Sequence, residues 1–117
     1  MASEFRQVVF GNEELRLALE EYFAGPDERL PRGRIVSATI TEDELNIELA
    51  TEESLSGRRP ARVPAEHVAA ALIGLCRKRG IPLPRGSKKY IVVAGDNLAL
   101  RIVMKQERLI EIIEDAS

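Results

Sequence analysis

Proton transfer near neutral pH draws on histidine, and this chain has one, His67. Covalent chemistry draws first on cysteine, and there is likewise one, Cys76. The two are nine positions apart on a stretch with helical periodicity, about 180° around the axis. They therefore cannot form a nucleophile–base pair on that helix. Cys76 falls on the apolar stripe and reads as a small core residue; His67 lies just off the stripe, in the first turn, and reads as exposed. A single Cys and a single His exclude an internal disulfide and the usual zinc ligand sets. Carboxylate pairs recur at Glu13-Glu14, Glu20-Glu21 and Glu52-Glu53, but none comes with ligand-type spacing to a histidine. Helix starts and solvated helix faces account for them. Gly86-Ser87-Lys88-Lys89 lacks the glycine five residues before the Gly-Lys step that a phosphate-cradling loop needs, since position 81 is Ile81. No catalytic residue, cofactor loop or metal set is therefore assigned.

Anion chemistry has better candidates. The tetrapeptide Leu-Pro-Arg-Gly occurs twice, at 30–33 and 83–86. Mechanically, its proline fixes the backbone, its glycine allows a tight entry into the next strand, and its leucine fills the core. Chemically, Arg32 and Arg85, with Lys88 and Lys89, could serve as forks and point charges for phosphate or carboxylate. Charge is also divided along the chain. Residues 1–57 carry five basic and thirteen acidic side chains (−8), and residues 58–117 carry twelve basic and six acidic (+6), which gives the net −2. A basic patch built from Arg58, Arg59, Arg62, Arg77, Lys78 and Arg79 would suit an anionic partner, nucleic acid included. Alternatively, halves of opposite sign attract each other, within one molecule or between copies. Base stacking lacks support, because the chain has only five aromatics and no aromatic strand motif.

The elements that must position these residues follow from an internal repeat. Shifting the chain by 53 positions aligns Phe10–Thr51 with Val63–Met104 without a gap, and nine of the 42 pairs are identical. Composition alone gives about two or three. The first helix is expected over Asn12 to about Ala24, with Asn12 as cap and Gly25-Pro26 as its stop. Its stripe is Leu15, Ala18, Leu19, Tyr22 and Phe23. The second is expected over Pro64–Arg79, with Val68, Ala71, Leu72, Leu75 and Cys76 at the shifted positions. Ala70 and Gly74, beside that stripe, could admit a closely packed backbone.

A hairpin follows each helix. In the first, Val36, Ala38 and Ile40 alternate, Thr41-Glu42-Asp43-Glu44 turns, and Leu45, Ile47 and Leu49 alternate. In the second, Ile91 and Val93 precede the turn Ala94-Gly95-Asp96-Asn97, and Leu98, Leu100, Ile102 and Met104 follow it. A strand at Phe5–Phe10 precedes the first helix. Its counterpart, Arg58–Val63, contains Pro60 and is expected at a sheet edge or irregular. Thr51–Arg62 reads as a flexible connection, and 106–115 as a C-terminal helix.

The sequence thus predicts one α+β domain over 1–117, a tandem β-α-β-β repeat (5–51 and 58–104). It packs two helices on one face of a mostly antiparallel sheet of five or six strands. A ferredoxin-like βαββαβ order with an added strand is the competing topology. At 117 residues, 44% apolar and 31% charged, the chain can bury one core unaided. No stretch is long enough to span a membrane, and the start has no secretory pattern, so a soluble cytoplasmic protein is expected. The functional expectation is a non-enzymatic protein-interaction or regulatory module. The alternative is an anion, nucleotide or nucleic-acid binder using the basic residues of 58–105, and the third reading is a small enzyme whose site spacing does not reveal.

Overall fold

A computed structural model describes residues 5–24, 30–31, 33–55, 57 and 59–103. The expected C-terminal helix at 106–115, Met104, Arg32, Arg58 and the Gly25-Pro26 stop lie outside the described residues. The chain order is β1 (Phe5–Phe10), α1 (Asn12–Tyr22), β2 (Ile35–Ile40), β3 (Asn46–Thr51), α2 (Glu52–Leu55), β4 (Ala61–Pro64), α3 (Ala65–Lys78), β5 (Lys88–Ala94) and β6 (Asn97–Val103).

The class is α+β, with helices packed on antiparallel strands. The six strands are divided between two three-stranded sheets, ordered β1-β6-β5 and β2-β3-β4, where the sequence led us to expect one continuous sheet. The division falls between β2 and β5, which come close to one another with no ladder joining them. Every pairing is antiparallel. A ferredoxin-like order, whose β-α-β units return to the same sheet, does not fit, because β1 and β2 belong to different sheets.

Each sheet takes strands from both halves of the chain. β1 pairs with β6, and β4 pairs with β3. In the first sheet Phe10 stands opposite Leu98; in the second Val63 stands opposite Ile47. Phe10 and Val63 differ by 53, but Ile47 and Leu98 differ by 51. The two-residue difference arises in the turns. Ala94 closes directly on Asn97, whereas Thr41 and Asn46 bracket four residues. The buried series Ile47, Leu49, Thr51 thus corresponds to Leu98, Leu100, Ile102. A slip of two leaves the pleat facing unchanged, which is why the gapless alignment shows the same alternation. It nevertheless pairs buried Leu98 with Leu45, which is 67% exposed in the turn. The expected core position of Leu45 is therefore wrong.

The helices bury the expected stripes, with one exception. α1 buries Leu15, Ala18 and Leu19, and α3 buries Val68, Ala71, Leu72, Leu75 and Cys76. Each fully buried leucine contributes about 1.5–3 kcal/mol. Tyr22, expected in the core, is 41% exposed, because α1 ends there and its ring reaches the helix edge. Helix α1 is capped by Gly11 rather than Asn12, and the Gly11 N–H donates to Glu14 Oε1 at 3.1 Å. In β2 a register shift between Ile35 and Ser37 turns Ile35 into the core beside Ala38, leaving Val36 only half-buried. The expected flexible connection contains one helical turn, α2. Thr51 and Ser54 bind each other's backbone N–H, at 2.7 and 3.3 Å, to start it. Strand β4 lies at a sheet edge, after Pro60.

Both Leu-Pro-Arg-Gly segments place glycine in the left-handed region, Gly33 at φ +83° and Gly86 at φ +74°. A side chain there is strained, so both glycines have a mechanical reason to be present. Leu30 and Pro31 are buried, and Arg16 clamps the first copy, donating to the carbonyls of Pro31 (3.0 Å) and Gly33 (2.7 Å).

Candidate functional site

The division between the sheets opens a groove of about 620 Å³. One wall is the end of β2 and the following turn (Ile40, Thr41, Glu42, Glu44), and another is the start of α3 (Ala65, Glu66, Ala69). β5 (Lys89, Tyr90, Ile91) forms the third, with Ile47 behind. The hairpin turn is fixed to the helix by a hydrogen bond from the Ala65 N–H to the Leu45 carbonyl, at 2.9 Å. The lining thus combines aliphatic surface with three carboxylates and one ammonium, a net charge of −2.

Each carboxylate is where local folding requires an acid or tolerates one. Glu66 is in the first turn of α3, where the dipole favours negative charge. Glu42 and Glu44 belong to the four-residue turn, and Glu44 holds a left-handed φ of +61°. Asp43, between them, is committed to the turn. It accepts the Thr41 hydroxyl at 2.5 Å and the Leu45 N–H at 3.0 Å, and the Thr41 bond foremost holds its carboxyl below the usual range. An adjoining depression of about 490 Å³ extends past Asp43 to Glu48 and Arg62.

The residues singled out for anion binding are not gathered into one site among the described residues. Lys89 borders the groove in the company of Glu42, Glu44 and Glu66, and its Nζ donates to the Ser87 carbonyl at 3.3 Å. Lys88 and Arg85 are exposed. Within the basic patch, three cations meet carboxylates of the first half: Arg62 with Glu48 (2.7 Å), Lys78 with Glu21 (2.6 Å) and Arg79 with Glu14. Attraction between the oppositely charged halves therefore operates inside the molecule, although such exposed pairs contribute only about 0–1 kcal/mol each. Arg77 is exposed at the end of α3, and Arg59 borders a separate depression of about 180 Å³ with Leu30, Pro31 and Ser54.

Glu14 ties the beginning of α1 to the end of α3. The Gly11 N–H first, and the Arg79 guanidinium second, hold its carboxyl below the usual range. At the opposite end of α1, the Tyr22 hydroxyl and His67 Nδ1 are hydrogen-bonded at 2.8 Å, and the Tyr22 ring meets Phe23 edge-on at 5.1 Å. His67 is thus engaged in a cross-helix aromatic contact that its sequence spacing did not reveal. Cys76 is buried, and burial pushes its thiol pKa up, so the thiolate is disfavoured.

Among the described residues, no group of three or more His, Cys, Asp and Glu could hold a metal ion. None of their helices is long and apolar enough to cross a membrane. Compared with protein-family models, curated proteins and solved structures, the chain matches none.

Of the charged groove residues only Lys89 was singled out from the sequence, and for an anion rather than for an acidic groove. The acidic turn 42–44 was visible as a charge run, but nothing in its spacing shows that it faces both α3 and β5.

Proposed function

We propose that the protein is a non-enzymatic binding module that takes a positively charged, partly aliphatic segment of another protein in the groove between its sheets. The observation that carries this reading is the composition of the groove. Ile40, Ala65, Ala69 and Ile91 provide apolar surface, while Glu42, Glu44 and Glu66 outnumber Lys89. Carboxylates against low-dielectric walls concentrate field in the cleft, speed the encounter with cations and disfavour phosphate. The volume is within the range of ligand-sized clefts.

The test is fluorescence polarisation with labelled peptides alternating Lys or Arg with Val or Ile, beside acidic and neutral counterparts. The basic series should bind, weaken as salt is raised, and lose affinity about tenfold or more in a Glu42→Lys/Glu66→Lys double variant that remains folded by circular dichroism. Equal binding of acidic peptides, or preferential binding of nucleotides or mixed nucleic acids, would refute it in favour of an anion site at Arg85, Lys88 and Lys89.

We also propose that segments 5–51 and 58–104 descend from one duplicated β-α-β-β unit. The reciprocal strand exchange, β1 with β6 and β4 with β3, supports this.

A further inference from the structure

Antiparallel strands have two edges, and β5 uses one of them, on β6. Lys89, Tyr90 and Ile91 are consecutive, and consecutive strand residues point to opposite faces of a sheet. Bordering by all three fits a groove that runs along the edge of the first half of the strand, where its backbone is presented. The hairpin closes on the pair Ala94–Asn97. A two-residue turn makes that pair a hydrogen-bonded one. Alternation from there turns the N–H and C=O groups of Val93, Ile91 and Lys89 away from β6, on the side where β2 comes close without forming a ladder and where Lys89 and Ile91 line the groove.

The other strand ends of the two sheets are less suited to receive a partner. β4 has four residues and ends in Pro64, and β2 is interrupted by its register shift between Ile35 and Ser37. β1 is six residues long, but none of its residues lines the groove. β5 is seven residues long with regular pairing throughout, and exposed Tyr90 and Val93 stand along it. Long, regular free edges are the ones that accept a further strand.

We infer that the cationic segment binds as an extended strand added to the free edge of β5, an inference that rests on the groove reading above. Main-chain hydrogen bonds to Lys89, Ile91 and Val93 supply sequence-independent affinity, and alternate side chains supply selectivity. Lysines or arginines on one face of the added strand meet Glu42, Glu44 and Glu66, and intervening aliphatic residues lie on Ile40 and Ala69.

The experiment uses the tightest basic peptide from the panel, synthesised twice more with N-methyl groups on alternate residues, in the two possible phases. N-methylation removes backbone donors and leaves every side-chain charge in place. One phase should lose about tenfold or more in affinity, the other should stay within about twofold, and exchange of the Lys89, Ile91 and Val93 amides should slow when the unmodified peptide binds. If the unmodified peptide binds but both phases match it and amide exchange is unchanged, strand addition is wrong and the acidic groove stands. If no basic peptide binds at all, both fail. Concentration-dependent dimerisation that protects the same amides without peptide would overturn the proposal by assigning the edge to a second copy of this chain.

Discussion

Gly74 sits in the middle of α3, is exposed, and has no atom within 4 Å of the place a Cβ would occupy. The small pair Ala70 and Gly74 therefore does not admit a closely packed backbone among the described residues, contrary to the expectation from the sequence. Replacing Gly74 with alanine removes the backbone entropy cost of glycine and introduces no clash. Interior helix positions favour alanine over glycine by about 0.8–1 kcal/mol. The exposed methyl adds little burial, so the expected gain is about 1 kcal/mol in total. For a domain of this length that corresponds to roughly 3–5 °C in Tm. With a urea m-value of about 2 kcal/mol/M, the midpoint should rise by about 0.5 M. Urea titration followed by circular dichroism at 222 nm reads both midpoint and slope. Gly33→Ala is the control of opposite sign. Its φ of +83° should make the same chemical change destabilising by about 1–2 kcal/mol. A Gly74→Ala variant that is less stable than the parent at unchanged m would refute the reasoning, because it would mean that the position is packed and not open.

Leu19 and Leu72 are both fully buried and are equivalent under the proposed duplication, so Leu19→Ala and Leu72→Ala should each cost about 2–5 kcal/mol in urea titration. Costs differing by more than about 2 kcal/mol would count against that equivalence. Glu14→Gln should narrow the acid dependence of stability. The folded pKa of Glu14 is depressed, so its contribution is present above the ordinary carboxylate value of 4.5 and is lost as pH falls through the lower folded value. The stability difference between parent and variant, measured from pH 7 downward, should shrink in that window; a constant difference would contradict the assignment. Cys76, buried and with a raised pKa, should react with Ellman's reagent slowly in the native protein and rapidly in denaturant. Fast native labelling would place it outside the core.

Helix stripes, turn positions and the α+β class were legible from the sequence, because they depend on periodicity and on glycine, proline and capping residues within a few positions. Leu15, Leu19, Leu72 and Leu75 had to be buried together whatever the topology. The mechanical role of the two Leu-Pro-Arg-Gly glycines was also legible, since a positive φ is a local property. The two-residue difference between the hairpins was not, because an even slip preserves alternation. Only strand pairing exposed Leu45 and matched Ile47 with Leu98.

What the tertiary structure alone decided is which distant groups meet. It put Tyr22 against His67 and Glu14 against Arg79, across two helices whose sequences show no sign of one another. It parted the strands into two sheets, leaving the edge of β5 beside an acidic turn some 45 residues earlier in the chain. Local sequence fixes which face of an element seeks the core, because that follows from its own repeat. It does not fix where a sheet stops, because an unpaired edge depends on the position of the strand that would have covered it.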